Sequence, residues 1–147
     1  MPKGNTVGRL SQREKLAYIA GFLDGDGSIM LQLRKNTSGK IIRIKTVICL
    51  YQDNRYRKDL EEIHKILGGY VYTRNDNICE LRIEGFARVF EILVLLKPFL
   101  RFKKKQASLL IKLIPKLQQK TVNKESVVEW IKKMREYNYY SSQRTSL

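Results

Sequence analysis

The stretch Ser11-Gln12-Arg13-Glu14-Lys15-Leu16-Ala17-Tyr18-Ile19-Ala20-Gly21-Phe22-Leu23-Asp24-Gly25-Asp26-Gly27-Ser28 decides how this chain is read. Ser11 and Glu14 form a capping-box pattern, so a helix is expected from Ser11 to about Asp24. Gly25 and Gly27 are expected to end it. At 3.6 residues per turn, Leu16, Ile19 and Leu23 make one apolar stripe. Ala17, Ala20, Gly21 and Asp24 make an adjacent stripe of small residues, and Tyr18 and Phe22 cover most of the rest. A helix apolar nearly all round should be covered all round, yet a small domain with one sheet covers one side of it. The small stripe therefore points to a second such helix from another copy of the chain, as a two-fold dimer would supply. The alternative, a helix sunk in its own core, leaves Asp24 unexplained.

Asp24 and Asp26 stand at the negative end of that helix, where carboxylates are disfavoured. A two-fold partner would bring a second pair close by. A hard divalent cation such as Mg²⁺, which prefers carboxylate and carbonyl oxygens, would relieve the repulsion. The alternative is an ordinary Asp-Gly turn. An EF-hand loop is excluded, because Gly27 and Ser28 break its ligand spacing.

Beyond the helix the period changes to two. In Ser28–Arg34, Ile29, Leu31 and Leu33 share one face, opposite Ser28, Met30, Gln32 and Arg34. A turn at Asn36-Thr37-Ser38-Gly39 leads to Ile41–Tyr51. There Ile42, Ile44, Ile48 and Leu50 are expected inward, and Arg43, Lys45, Val47, Cys49 and Tyr51 outward. A helix near Asn54–Leu67 follows, stopped by Gly68-Gly69. A second hairpin has strands near Tyr70–Arg74 and Ile78–Ile83, with Val71, Cys79, Leu81 and Ile83 inward and Tyr72, Arg74, Glu80 and Arg82 outward. Helices near Gly85–Leu96, Phe102–Ile114 and Glu125–Tyr137 complete the chain, with Pro98 and Pro115 as breaks. Trp130 is expected in the core and His64 on a surface. The expected fold class is α+β, an αββαββα order in which helices cover one face of a four-stranded antiparallel sheet, followed by C-terminal helices.

The 147 residues suit a single domain, with 1–10 a flexible arm and 138–147 a C-terminal loop or tail. Lys and Arg number 29 against 14 Asp and Glu, a formal charge of +15, and 43% of residues are hydrophobic. That combination describes a folded basic domain and excludes a disordered polybasic tail. The charge is uneven: residues 31–58 carry +7, 59–96 carry −3 and 97–147 carry +10. A basic face of this kind attracts polyanions, nucleic acid first. The outward sheet residues mix Arg, Gln, Ser and Tyr, the side chains that read base edges in a major groove. A plain solvated sheet face would also be polar. Lys103-Lys104-Lys105 opens a helix at the wrong end for its charge, which suits a neighbouring phosphate. No apolar run is long enough to span a membrane, and the two cysteines, Cys49 and Cys79, suggest neither a disulfide framework nor a zinc site.

Leu16–Ser28 resembles the signature helix of LAGLIDADG homing endonucleases. The similarity extends through Tyr51-Gln52, Leu67-Gly68-Gly69-Tyr70-Val71 and Pro98-Phe99-Leu100-Arg101-Phe102-Lys103-Lys104-Lys105-Gln106-Ala107. One signature helix in a short chain is similar to the homodimeric branch, found in organellar introns of algae. The resemblance implies Mg²⁺-dependent cleavage of both strands of a long pseudo-palindromic DNA with 3′ overhangs, with Mn²⁺ as a substitute ion. It implies Asp26, Gln52 and Lys103 as the catalytic set, with the metal on Asp26 and the Gly25 carbonyl. Ala17, Ala20, Gly21 and Asp24 would form the dimer interface. The outward sheet residues would contact double-stranded DNA together with Asn36, Lys40, Arg55, Arg57 and Lys105, and with Ser142 and Arg144 in the C-terminal loop. A basic residue is common four positions after the glutamine; here Tyr56 stands there, flanked by Arg55 and Arg57. The same fold also serves intron-splicing maturases and non-cleaving DNA-binding proteins, neither of which needs Asp26, Gln52 and Lys103 together. Asp26→Asn is expected to abolish DNA cleavage while leaving binding largely intact in a gel-shift assay; retained cleavage would remove Asp26 from the metal site.

Overall fold

The computed structural model describes residues 10–119 and 122–138; the N-terminal arm expected over residues 1–10, apart from Leu10, and the C-terminal loop with Ser142 and Arg144 lie outside them. The order is α1 (Gln12–Asp26), β1 (Gly27–Lys35), β2 (Ile41–Asp53), a 3-10 turn at Asn54–Tyr56, α2 (Arg57–Leu67), β3 (Tyr70–Thr73), β4 (Ile78–Glu84), α3 (Phe86–Leu96), a 3-10 turn at Lys97–Phe99, α4 (Lys104–Leu117) and α5 (Lys124–Asn138). The expected fold class holds.

The capping box at the head of α1 is complete: the Glu14 N–H donates to Ser11 Oγ at 3.1 Å, and the Ser11 N–H donates to Glu14 Oε1 at 2.9 Å. The far end departs from expectation. The helix runs through Gly25 to Asp26, and Gly27 caps it by donating its N–H to the Leu23 carbonyl. The helix therefore ends two residues later than expected.

The four strands form one antiparallel sheet in the order β1-β2-β4-β3. Leu33 pairs with Ile44, Ile29 with Ile48 and Gly27 with Leu50, which places Ile44, Thr46, Ile48 and Leu50 on one face of β2. Ile42 was expected on that face but is exposed. The register shifts between Arg34, opposite Arg43, and Lys35, opposite Ile41, so Ile42 falls at a bulge and leaves the alternation. Ile19 and Leu23 of α1, Leu60 and Leu67 of α2, Ile92 and Leu93 of α3, and Leu110 of α4 bury against Ile29, Ile48, Leu81 and Ile83. Pro115 does not break the chain; it sits in the last turn of α4, and the Gln118 N–H still reaches the Ile114 carbonyl at 3.0 Å. Trp130 packs half-buried against the core beside Lys116, 5.8 Å from its ring. Among the described residues no helix is long and apolar enough to cross a membrane.

The end of α2 shows why glycine stands before β3. His64 Nδ1 lies 2.9 Å from the Gly68 carbonyl oxygen, and Arg88 donates to the Leu67 and Ile66 carbonyls, so the exposed end of the helix is held by side chains. His64 is thus a half-buried capping group. Gly69 has φ +78°, and a Cβ there would run into the Arg82 carbonyl and come within 2.8 Å of Ile83 Cγ1. Gly69→Ala is expected to cost roughly 2 kcal/mol or more of stability, read as a lowered urea midpoint at fixed protein concentration; an unchanged midpoint would refute the close approach.

Candidate active site

The C-terminus of α1 is assembled with a segment 77 residues further along the chain. Asp24 Oδ2 accepts from the Arg101 N–H at 2.7 Å and Oδ1 from the Lys103 N–H at 3.0 Å, while Lys103 Nζ donates to the Asp24 carbonyl oxygen at 2.7 Å. The carboxylate thus satisfies two backbone donors just before α4, and the lysine caps one of the last carbonyls of α1. Burial pushes the Lys103 ammonium below the ordinary lysine range, and the negative charges of Asp24 and Asp26 work against that shift. Asp26 is one residue from the helix cap and exposed, so its carboxylate faces outward within electrostatic reach of Lys103. Gly27 must be glycine for contact reasons: a Cβ would sit 2.9 Å from the Cys49 carbonyl.

Gln52 stands near the end of β2, two residues past Leu50, the partner of Gly27. Its Oε1 accepts from the Asp53 N–H at 2.9 Å, which leaves its amide hydrogens to donate. Gln52 lines a groove of about 630 Å³ between α1 and α2, together with Tyr18, Phe22 and Tyr56. The fold therefore brings Lys103 to Asp24 and Asp26 at the end of α1, while Gln52 faces the groove between α1 and α2. Among the described residues no cluster of three or more His, Cys, Asp or Glu side chains could hold a metal by itself. Asp26 and the Gly25 carbonyl offer hard oxygen donors at the negative pole of a helix and so fit a hard cation, but they fill only part of a coordination shell.

The small stripe on α1 splits in two. Ala17 and Gly21 are exposed, with open space around Gly21, and Tyr18 beside them is 60% exposed. Ala20 is buried in the chain's own core and Asp24 by its bonds to the 101–103 backbone. These two were expected at a dimer interface; they are occupied within the chain instead.

The outward face of the sheet also differs from the expected set. Val47 and Cys49 are 0% exposed and Glu80 is 5% exposed. They point outward by alternation but lie beneath longer neighbours, so they are not surface contacts. Burial pushes the Cys49 thiol up to about 11. The Tyr72 hydroxyl donates to Glu80, and this bond is the first reason that its pKa rises to about 12. Ser28 Oγ and the Tyr51 hydroxyl lie 3.0 Å apart, and burial raises Tyr51 to about 12. Both phenols are neutral donors at ordinary pH. Arg57 donates to Glu61, to Thr73 Oγ1 at 2.6 Å and to the Val71 carbonyl, so it ties α2 to β3. Asn36 Oδ1 accepts from the Ser38 and Lys40 N–H groups and shapes the hairpin turn. Arg55 pairs with Asp53 and Arg74 with Asp76 at the surface. Arg34, Lys40, Arg43 and Lys105 are exposed, while Met30, Gln32 and Lys45 are half-buried. Glu84, which the sequence reading left out, accepts from Arg82 Nε at 2.7 Å and lies 3.6 Å from Lys45 Nζ. The hydrogen bond from Arg82 holds the Glu84 carboxyl below the usual range. The same two-residue alternation that picked out Glu80 and Arg82 would have found it.

A model of the LAGLIDADG endonuclease family matches residues 19–115, which include most of α1, the whole sheet and α4 as far as Pro115. This chain belongs to the LAGLIDADG endonuclease family. It is 30% identical over 139 residues to the DNA endonuclease I-CreI of Chlamydomonas reinhardtii, covering 91% of this chain and 85% of that protein. It is 33% identical over 105 residues to I-CvuI of Chlorella vulgaris, covering 70% of this chain and 65% of that protein. The crystal structure of I-CvuI in complex with its target in the presence of Ca superposes with a TM-score of 0.75 at 30% identity, covering 85% of this chain and 82% of that one. The LAGLIDADG endonuclease I-GzeII in complex with its DNA target gives a TM-score of 0.66 at 26% identity, over 82% of this chain but 43% of that one. In this LAGLIDADG chain, then, the two carboxylates at the end of α1 are in different states: Asp24 is bonded to the backbone of residues 101 and 103, and Asp26 is exposed. Asp24→Ala is expected to cost roughly 2–4 kcal/mol, since two backbone donors lose their acceptor, whereas Asp26→Ala should leave the urea midpoint nearly unchanged. Equal midpoints for the two variants would overturn the division.

Proposed function

We propose that this chain acts as a homodimer that cuts both strands of a long pseudo-palindromic DNA site, leaving 3′ overhangs, with Mg²⁺ as cofactor and Mn²⁺ as a substitute. The observation that carries the reading is the exposed Asp26 carboxylate at the α1 terminus beside Lys103, which Asp24 anchors. The exposed side of α1, with Ala17, Gly21 and Tyr18, is where a second copy would approach. I-GzeII matches this chain over 43% of its own length, as expected if two such units complete a site. The partial oxygen shell in one chain supports the same conclusion: a second Asp26 and phosphate oxygens would complete it.

Asp26 and the Gly25 carbonyl would hold the cation, which when bound supplies a Lewis acid and lowers the pKa of bound water. The protein's own groups then have defined tasks. Gln52, with Oε1 engaged by the Asp53 N–H, keeps its amide hydrogens available to orient water or a phosphate oxygen. Lys103 places a positive charge where negative charge grows on the phosphate during cleavage; its bond to the Asp24 carbonyl fixes that place. Arg34 and Arg43, exposed on the hairpin, bind backbone phosphate or base edges. Arg55, exposed although paired with Asp53, is the better stand-in for the basic residue missing at Tyr56, since Arg57 is committed to α2 and β3. Action within an organellar genome belongs to the same proposal and rests on the family resemblance.

The test is cleavage of a randomised pseudo-palindromic DNA library with Mg²⁺ and with EDTA, followed by sequencing of the ends. Metal-dependent cuts with 3′ overhangs at one long two-fold motif are expected. Selective binding without cuts would reduce the protein to a DNA-binding member of the fold, and neither binding nor cuts would turn the search to intron RNA.

A further inference from the structure

Part of the C-terminal excess of positive charge gathers along a groove between two helices. α4 carries Lys104, Lys105, Lys112 and Lys116 and no acidic residue. All four lysines are exposed, and among the described residues none of them joins an ion pair. Lys105, Lys112 and Lys116 are spaced at i, i+7 and i+11, which places them in one narrow stripe about 16 Å long. The contacts show which way that stripe faces. Lys105 Nζ lies 5.9 Å from the centre of the Tyr137 ring and Lys116 Nζ 5.8 Å from that of Trp130, both on α5. Trp130 and Tyr137, seven residues apart, share one side of α5, and the exposed Lys133 falls between them on that side. The acidic residues of α5, Glu125, Glu129 and Glu136, lie on a different stripe, roughly a quarter turn or more away, where Glu129 pairs with Lys132.

Uncompensated lysines alternating with two aromatic rings make a surface of particular chemistry. Trp130 packs against the core, which holds its ring in place. Each lysine stands at the long end of the cation–π range, an interaction worth about 0.5–1 kcal/mol at an exposed site. A nucleic-acid base stacked on the same ring is worth about 1–3 kcal/mol. A base therefore displaces the ammonium, and the flexible lysine stem lets the charge swing to the adjoining phosphate. A duplex keeps its bases stacked on one another and offers the groove phosphates alone, so the rings favour an unpaired strand. A membrane surface fits less well, because it rewards exposed apolar bulk, and the apolar groups of the groove, Leu109, Trp130 and Tyr137, are half-buried.

We propose that the groove between α4 and α5 is a second nucleic-acid site, which binds an unpaired strand of DNA or RNA. Bases stack on Trp130 and Tyr137, and Lys112, Lys116 and Lys133 hold the phosphates between them. The site belongs to the helices and not to the outward sheet face that carries Arg34 and Arg43. It goes beyond the cleavage reading and does not rest on it.

Trp130 is the sole tryptophan of the chain, so its emission reports on this groove directly. The test titrates the full chain, in EDTA to withhold metal, with short oligo(dT), with oligo(U) and with a blunt duplex of equal length. Anisotropy of the labelled nucleic acid follows binding in parallel. Both single strands are expected to quench Trp130, the tighter one naming DNA or RNA as the source, whereas the duplex binds without moving the emission. Lys112→Glu combined with Lys116→Glu should weaken strand binding at least tenfold. It should also flatten the slope of log affinity against log salt by about 1.4, the share of two phosphates on a single strand. Lys58→Glu with Lys65→Glu, an equal change of charge at exposed positions of α2, should leave that slope unchanged. Tyr137→Leu should lose roughly tenfold in affinity at constant slope, the size of one stacked base, while its carbonyl still accepts from Gln106. Strand binding with Trp130 silent, an equal quench by the duplex, or an equal loss of slope in the α2 control would each overturn the proposal. So would a Trp130 response to anionic phospholipid vesicles alone, or no strand binding by a chain whose urea midpoint shows it folded.

Discussion

The Asp24 carboxylate is the constraint on which the site depends. At the negative pole of α1 an ionised side chain is unfavourable by itself. Here it is compensated by two backbone N–H groups from residues 101 and 103 and by the Lys103 ammonium on its own carbonyl. The three bonds fix the end of α1 against the segment that begins α4. They set where Lys103 stands, and Asp26 occupies the last position of the helix. A change at Asp24 therefore acts on its surroundings through backbone geometry.

Much of the fold was legible in local patterns. The capping box, the stripe of Leu16, Ile19 and Leu23 and the alternation in the two hairpins are signals within a few residues, and each appears in the structure. The misses have non-local causes. Ile42 follows the alternation in sequence, but a bulge fixed by pairing with the neighbouring strand removes it. Pro115 resembles a stop, yet a proline in the last turn sacrifices one bond of a helix already held by its buried face. Asp24 looked like an interface residue because its partners lie 77 residues downstream, where nothing in the local sequence marks them as backbone donors.

The site was legible to a different degree. Asp26, Gln52 and Lys103 stand out by pattern and resemblance; the fold brings Lys103 to the end of α1 and leaves Gln52 in the groove between α1 and α2. The DNA-facing list was too generous. Alternation tells which way a side chain leaves the strand, but not what lies over it. Val47, Cys49 and Glu80 leave on the outward side and are nonetheless buried; Arg82 lies against Cys49 and Glu80, and Tyr72 against Glu80. Arg57 and Arg82 count as basic surface in composition, while their hydrogen bonds commit them to the protein.

That commitment divides the labour of the basic charge. A cation that neutralises phosphate adds affinity for any sequence and makes it fall with salt. Discrimination needs donors and acceptors held in one orientation, because a group free to rotate suits several bases. The exposed Arg34 and Arg43, near the end of the hairpin, meet the first requirement. Arg82, tied to Glu84 and Gln32 over the middle of the sheet, is held in one orientation by those bonds. The anionic middle of the sequence is then no contradiction in a basic protein: Glu80 and Glu84 hold one arginine still, and Arg34 and Arg43 remain exposed on the hairpin.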